Sequence, residues 1–457
     1  MAFLNLYILT FNTACCPVDV DALASQFFNG LTSSVLPDII VLSIQEIAPI
    51  SYSYIGGSFL LPYFARFHDA VQKAAKQLSS HQDAEQEDIP PYTLISASHV
   101  GMTGIMVFSR DPTKVQDLES GGVGVGLMET GNKGATGVRF TYSDAANGPN
   151  AQTSLTFVAA HLAAMEEEVA RRNEDWKSIV QGLVFSSKAQ TPSNGRAATR
   201  NNVSSESDQR PLLVDSPQET SIYKPTSHLF VAGDLNYRTS ILKPHPTDYE
   251  ERFPQPNQEE SSPKNYSRLF ENDQLTQERL AGRTLHGLIE PPVTFPPTYK
   301  YDNTKGPYLT PDEEISHWSW SNHRWPSWCD RILYLDIPSW LQLSQPDAKF
   351  LVHKYTALPI FPTSDHRPVA LSISVPLTPI PAPSDVEIEV VGDDEPRVRM
   401  PYDINPEWSA RRKSARRLEI VIGSVLYLTT LEGFGLLVAT LSGVVGGYFL
   451  IRSLYRM

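Results

Sequence analysis

Polar residues stand where apolar runs of this chain end. Asn12 follows Leu9-Thr10-Phe11, Glu46 follows Val41-Leu42-Ser43-Ile44-Gln45, and Asp234 follows Leu229-Phe230-Val231-Ala232-Gly233; His161, Asn236, Asp330, Asp365 and His366 occupy comparable places. A lone strand-end Asp or Asn is commonly a turn former or cap, and a lone His a bystander. A set that mixes carboxylates, amides and imidazoles in this way suits phosphoryl transfer. A hard Mg²⁺ ion needs only one or two carboxylates with an amide oxygen, because it keeps several waters; Glu46 with Asn12 fits. Such an ion neutralises a phosphate oxygen as charge builds in the transition state. An aspartate can take a proton from attacking water, with Asn236 holding that water in line, and a histidine oriented by a buried carboxylate can stabilise the phosphoryl group.

A cysteine-based phosphatase is disfavoured. It needs an arginine six residues after the nucleophile to cradle phosphate, and the sixth residues after Cys15, Cys16 and Cys329 are Asp21, Ala22 and Leu335. Adjacent Cys15 and Cys16 are poorly placed for a disulfide staple, which fits a reduced compartment.

The elements that must position these groups are short. Apolar, β-branched runs at 4–11, 39–44, 92–96, 105–109, 137–142, 155–159, 229–232, 332–335 and 369–375 predict buried strands. Helical spacing at 64–78 and 163–185 predicts helices between them, so the chain reads as mixed α/β with two sheets' worth of strands. The 457 residues allow one large domain with appendages, and 41% hydrophobic with 19% charged residues is a globular balance. A net charge of −13 argues against a nucleic-acid partner, which selects for a basic face.

Two polar stretches break the pattern: 186–226, rich in Ser, Asn, Gln and Pro, is expected to be a disordered insertion, and 377–417, Pro-rich and acidic before a basic cluster, a linker. The cluster is Arg411, Arg412, Lys413, Arg416 and Arg417. An apolar stretch, 418–451, follows, interrupted by Glu419 and Glu432; its uncharged part from Gly433 to Ile451 is close to the roughly 20 residues that cross a bilayer. Its glycines suit a membrane helix, and the basic cluster would keep the preceding body in the cytosol.

The strings Gly233-Asp234-Leu235-Asn236-Tyr237-Arg238 and Pro326-Ser327-Trp328-Cys329-Asp330-Arg331-Ile332-Leu333 resemble the two signatures of the inositol polyphosphate 5-phosphatases. Phe11-Asn12, Gln45-Glu46, Gly131-Asn132-Lys133-Gly134, Ala160-His161-Leu162, Arg172-Asn173-Glu174-Asp175-Trp176, Pro297-Thr298-Tyr299-Lys300-Tyr301 and Ser364-Asp365-His366-Arg367-Pro368 follow in that family's order. The sequence departs at Ala135, at Ala232, and at Ser321-Asn322-His323-Arg324, where many members carry a second lysine.

The resemblance implies the four-layered α/β sandwich of the endonuclease/exonuclease/phosphatase superfamily over residues 1–376, two packed β-sheets flanked by helices. It implies Glu46 and Asn12 as Mg²⁺ ligands, Asp234 activating or orienting the water, and Asn236 positioning it. His161 and His366 would contact the scissile phosphate, with Asp330 orienting His366 and Asp365 close by. Lys133, Arg172 and Asn173 would hold the head group, and Tyr299 and Lys300 would clamp a neighbouring 4-phosphate. With 418–451 as a C-terminal membrane anchor, the resemblance is to fungal tail-anchored members of the endoplasmic reticulum. The implied reaction is removal of the 5-phosphate of phosphatidylinositol 4,5-bisphosphate. The competing readings are a nuclease of the same superfamily and a non-catalytic phosphoinositide-binding tether.

Overall fold

The computed structural model describes residues 2–79, 90–187, 217–302, 317–391 and 395–454. The strands are β1 (Phe3–Asn12), β2 (Ile39–Gln45), β3 (Thr93–Val100), β4 (Thr103–Ser109), β5 (Val115–Gly124), β6 (Gly134–Ser143), β7 (Gln152–His161), β8 (Ser186–Ser187), β9 (Ser227–Asp234), β10 (Leu288–Ile289), β11 (Asp330–Leu335), β12 (Leu351–Ala357) and β13 (Val369–Pro376). They form two sheets, in the orders β12-β13-β1-β2-β4-β3 and β10-β11-β9-β7-β6-β5-β8.

The apolar run of β1 is continuous because both of its faces are covered. Leu4, Leu6 and Ile8 point to the inter-sheet core with Ile39 and Val41 of β2 and, from the other sheet, Phe157 of β7 and Phe230 of β9. The alternate residues Tyr7, Leu9 and Phe11 face outward against Phe67, Ala70, Val71 and Ala74 of the helix Leu61–Ser79. The second sheet is covered likewise: Val158, Ala160, Leu229 and Val231 pack on Trp176, Ile179 and Val180 of the helix Val169–Gly182. The order helix, sheet, sheet, helix is the expected four-layered sandwich. Each fully buried aliphatic or aromatic side chain adds about 1.5–3 kcal/mol, so the alternation fixes the register of every central strand.

All of the predicted strand runs lie in strands or, for Tyr92, directly beside one. β5, β8, β10 and β12 lie outside the predicted runs; β5 and β12 are largely half-exposed. The helix expected over 163–185 starts at Val169, after a loop.

Most of the insertion expected at 186–226 lies outside the described residues. Its ends do not behave as disordered chain: Ser186 and Ser187 pair with β5, and Ile222 and Tyr223 are buried against the second sheet. The expected linker 377–417 also packs in part. Arg397 is buried and donates to the carbonyls of Leu335 and Asp336. The expected boundary at 417/418 falls within one continuous helix, Trp408–Leu428. A separate helix, Leu431–Leu454, follows; its segment Leu431–Phe449 is long and apolar enough to cross a membrane and is almost wholly exposed.

Candidate active site

Strand direction gathers the site. β1 and β2 are parallel, with Asn12 opposite Gln45; β7 and β9 are parallel, with His161 opposite Asp234. β11 runs antiparallel to β9 and starts with Asp330 opposite Asp234. β13 runs antiparallel to β1 and starts at Val369 opposite Thr10, which brings the preceding Asp365 and His366 to the same end. The residues that looked equivalent along the sequence are thus equivalent in space, at one end of the sandwich.

Asp234 is the hub. Its Oδ2 accepts from Asn12 Nδ2 at 2.9 Å and lies 3.3 Å from His161 Nε2 and 4.0 Å from His366 Nε2. Its Oδ1 accepts the Asn236 backbone N–H at 3.1 Å. Gly233 lets this strand end approach its neighbour, since a Cβ there would run into the Ala160 carbonyl. Burial alone would raise the Asp234 carboxyl, but His366, His161 and Lys133 around it hold it well below the usual range.

His366 Nδ1 bonds Asp330 Oδ2 at 2.9 Å, and Asp330 Oδ2 also accepts from Thr298 Oγ1 at 2.7 Å. Burial would depress this imidazole, yet Asp330, Asp234 and Asp365 outweigh it and push His366 up to about 9. The pair therefore keeps one proton at neutral pH, on the histidine. Burial lowers His161, and the Lys133 ammonium on its Nε2 lowers it further, so His161 is neutral.

Glu46 follows β2 with φ of +48°, a left-handed conformation that non-glycine residues seldom adopt. It is fixed there because its carbonyl accepts from both Thr13 Oγ1 and the Cys15 N–H at 2.8 Å. Among the described residues its carboxylate has long contacts, 3.7 Å to the Lys133 ammonium and 3.9 Å to His161 Nε2, and its side chain is 31% exposed. An open carboxylate beside a buried amide is the donor set a hard, partly hydrated divalent cation takes, so the residues fit such an ion. Asp234, Asp330 and His366 also present ligand atoms within 4.8 Å of one another. That trio is fully buried and bonded internally through a protonated histidine, which favours proton and charge chemistry over ligation.

The family model described as endonuclease/exonuclease/phosphatase family 2 matches residues 9–372, most of the chain. The chain belongs to the endonuclease/exonuclease/phosphatase family. It is also similar to proteins named as inositol polyphosphate 5-phosphatases. It is 28% identical over 327 residues to inositol-1,4,5-trisphosphate 5-phosphatase 1 of Schizosaccharomyces pombe, covering 67% of this chain and 23% of that protein. It is 29% identical over 378 residues to polyphosphatidylinositol phosphatase INP53 of Saccharomyces cerevisiae, covering 82% of this chain and 27% of the relative. The chain thus spans about a quarter of the length of these curated relatives. Its fold resembles the inositol polyphosphate 5-phosphatase domain of SPsynaptojanin, solved with inositol (1,4)-bisphosphate and calcium, with a TM-score of 0.55, 22% identity, and coverage of 91% of this chain and 90% of that one.

The remaining motif strings supply further neighbours. Lys300 is ion-paired with Asp365, and Tyr299 lays its ring 4.6 Å from that of His366. Burial raises Asp365, but His366 and Lys300 outweigh it and leave it ionised below its ordinary range. Asn236 donates to the Leu162 carbonyl at 3.1 Å and holds a left-handed φ of +58°.

Arg172 and Asn173 are not brought to this cluster. Arg172 is fully buried and donates to the carbonyls of Ala163, Met165 and Glu166 and to Gln274 Oε1, holding the loop after His161. Asn173 donates to Glu278 and accepts from the Tyr237 hydroxyl.

Three residues that sequence reasoning left without a role support the site. Arg238 donates to Asn236 Oδ1 and stacks its guanidinium 4.2 Å from the Tyr299 ring centre. Thr298 holds Asp330, and Ser364 joins the Asn12 carbonyl, at 2.6 Å, to the His366 N–H, at 3.0 Å. All three belong to the motif strings, which was the available signal.

Proposed function

We propose that this chain is a Mg²⁺-dependent phosphoinositide 5-phosphatase. It hydrolyses phosphatidylinositol 4,5-bisphosphate to phosphatidylinositol 4-phosphate and inorganic phosphate by in-line attack of water. The observation that carries this reading is the convergence of Asp234, His161 and the His366–Asp330 pair on one strand-end cluster, with the Lys300–Asp365 pair at its margin.

Glu46 and Asn12 would hold the ion, which when bound supplies positive charge to a phosphate oxygen. Asp234 orients the water through its buried carboxylate. Held so far below the usual range it is a weak base, so it takes the water's proton late, as the new P–O bond forms and the bond to the inositol oxygen breaks, and the departing oxygen takes a proton from solvent water to leave as the hydroxyl; this timing suits a loose phosphoryl transition state. The His366 imidazolium, kept charged by Asp330, stabilises charge on the phosphoryl oxygens. Lys300 supplies an ammonium for a neighbouring phosphate, which a nuclease of the same family does not need.

The test is phosphate release by full-length protein in detergent from phosphoinositides, soluble inositol phosphates and abasic DNA, with Mg²⁺ and with chelator. Release from inositol compounds that stops on chelation is expected. Cleavage of abasic DNA alone would establish the nuclease, and no turnover of any inositol compound would leave the tether.

The segment Leu431–Phe449 is proposed to cross the membrane, placing residues 1–428 on the cytosolic face of the endoplasmic reticulum. Removing residues 431–457 is expected to release the protein into the soluble fraction; continued sedimentation with membranes would contradict this.

A further inference from the structure

The basic segment ahead of the apolar helix is docked on the catalytic body, and its contacts lead to the site. In the helix Trp408–Leu428 the buried residues Ala415, Glu419 and Gly423 recur every four positions, one stripe along one face. That stripe lies on the short helix Ile50–Ile55, which follows Glu46 by four residues. A Cβ on Gly423 would stand 2.7 Å from Tyr54 Cβ and 3.1 Å from both the Ser51 carbonyl and the Ile55 nitrogen, so the two helices touch through backbone. Arg416 donates to the carbonyls of Tyr54 and Ile55, the groups a helix of this length leaves without partners at its C-terminal end.

Glu419 is fully buried, an expensive place for a carboxylate unless it is paired and hydrogen-bonded. It is both. Oε1 accepts from Arg412 Nη1 at 2.7 Å and from the Gly131 backbone N–H at 3.0 Å, and Oε2 accepts from Arg416 Nη1 at 3.2 Å. Gly131 opens the turn that carries Lys133. Its carbonyl accepts the Met102 N–H at 2.8 Å, and the Met102 carbonyl accepts the N–H of Ile47, the residue after Glu46, at 3.3 Å. Gly131 also abuts Gly101, whose φ of +51° and lack of side chain allow the contact; a Cβ on either would collide with the other's backbone. Arg411 pairs with Glu129 in the same loop. Three of the five clustered basic residues are therefore engaged with protein acids and carbonyls.

We propose that Glu419 is a positioning residue for the 5-phosphatase reaction, an inference that rests on the function proposed above. Through Gly131 it fixes the turn that carries Lys133 beside Glu46 and His161, so the segment leading into the apolar helix belongs to the catalytic unit.

The experiment uses full-length protein in detergent with inositol 1,4,5-trisphosphate, a soluble substrate that removes membrane delivery from the measurement. Glu419→Ala is expected to lower kcat at least tenfold with KM within twofold. Glu419→Gln, which keeps an oxygen for the Gly131 N–H, is expected to retain at least a third of kcat. Hydrogen exchange of the peptide containing Gly131 and Lys133 is expected to quicken at least tenfold in the alanine variant and stay near wild type in the glutamine variant. An alanine variant with kcat within twofold, or with unchanged exchange, would overturn the inference. Should that variant not fold, Gly423→Leu, which drives the helix off Tyr54, is judged by the same criteria. If wild type itself releases no phosphate, the proposed function fails and the positioning role falls with it, whereas normal wild-type turnover with a silent alanine variant overturns this inference alone.

Discussion

His366 Nδ1 sits 2.9 Å from Asp330 Oδ2, so the imidazole and the strand-end carboxylate are linked by one hydrogen bond. Burial acts against a charged His366, and the three carboxylates around it win. The folded-state value lies above the ordinary 6.5, so the stabilisation is fully present below about 6.5 and is lost as pH rises through about 9. Activity that requires the imidazolium is expected to fall over the same upper limb. In Asp330→Asn that limb moves toward lower pH, and kcat drops by roughly 10²–10⁴. A pH–rate profile of the two proteins checks this; an unmoved limb would remove Asp330 from the role.

Lys300 tests the margin of the site. A charge-assisted hydrogen bond is worth about 1.5–3 kcal/mol, so Lys300→Ala should lower kcat/KM for the 4,5-bisphosphate by roughly 10- to 150-fold. Turnover of a substrate that lacks the 4-phosphate should change far less. Equal losses on both would mean that the ammonium acts on Asp365 alone.

Arg172 separates support from binding. The resemblance gave it to the head group, whereas the structure engages it with the loop 163–166. Arg172→Ala should lower stability by at least ~2 kcal/mol, since each buried group left unpaired costs about 1–3 kcal/mol. Thermal unfolding and the KM for a soluble inositol phosphate decide it. A higher KM with an unchanged Tm would return Arg172 to the head group.

Glu46 tests the ion. Glu46→Gln should weaken Mg²⁺ dependence of activity at least ~10-fold, with chelated wild-type protein inactive and restored by added Mg²⁺. A Mg²⁺ titration of both proteins is the measurement, and superimposable curves would move the ion elsewhere.

Much of the site was legible because strand ends announce themselves: an apolar run stops, and the next polar residue falls at the sheet edge, as with Asn12, His161 and Asp234. The parallel pairing of β1 with β2 and of β7 with β9 then brings them together. What stayed hidden depends on contacts distant in sequence. Glu419 read as an interruption of an apolar stretch, and its partner Gly131 is 288 residues away. Arg172 was given to the head group by the resemblance; only the fold shows the carbonyls it serves. β5 and β12 escaped because half-exposed strands with glycines and charges show no apolar alternation.

The most direct measurement supplies full-length protein with vesicles containing phosphatidylinositol 4,5-bisphosphate and Mg²⁺, and resolves the two monophosphate isomers formed. The expected product is phosphatidylinositol 4-phosphate with an equal amount of inorganic phosphate, at a rate reduced roughly 10²- to 10⁴-fold in Asp234→Asn. Formation of the 5-phosphate isomer, or no release of phosphate by the wild-type chain, would contradict it.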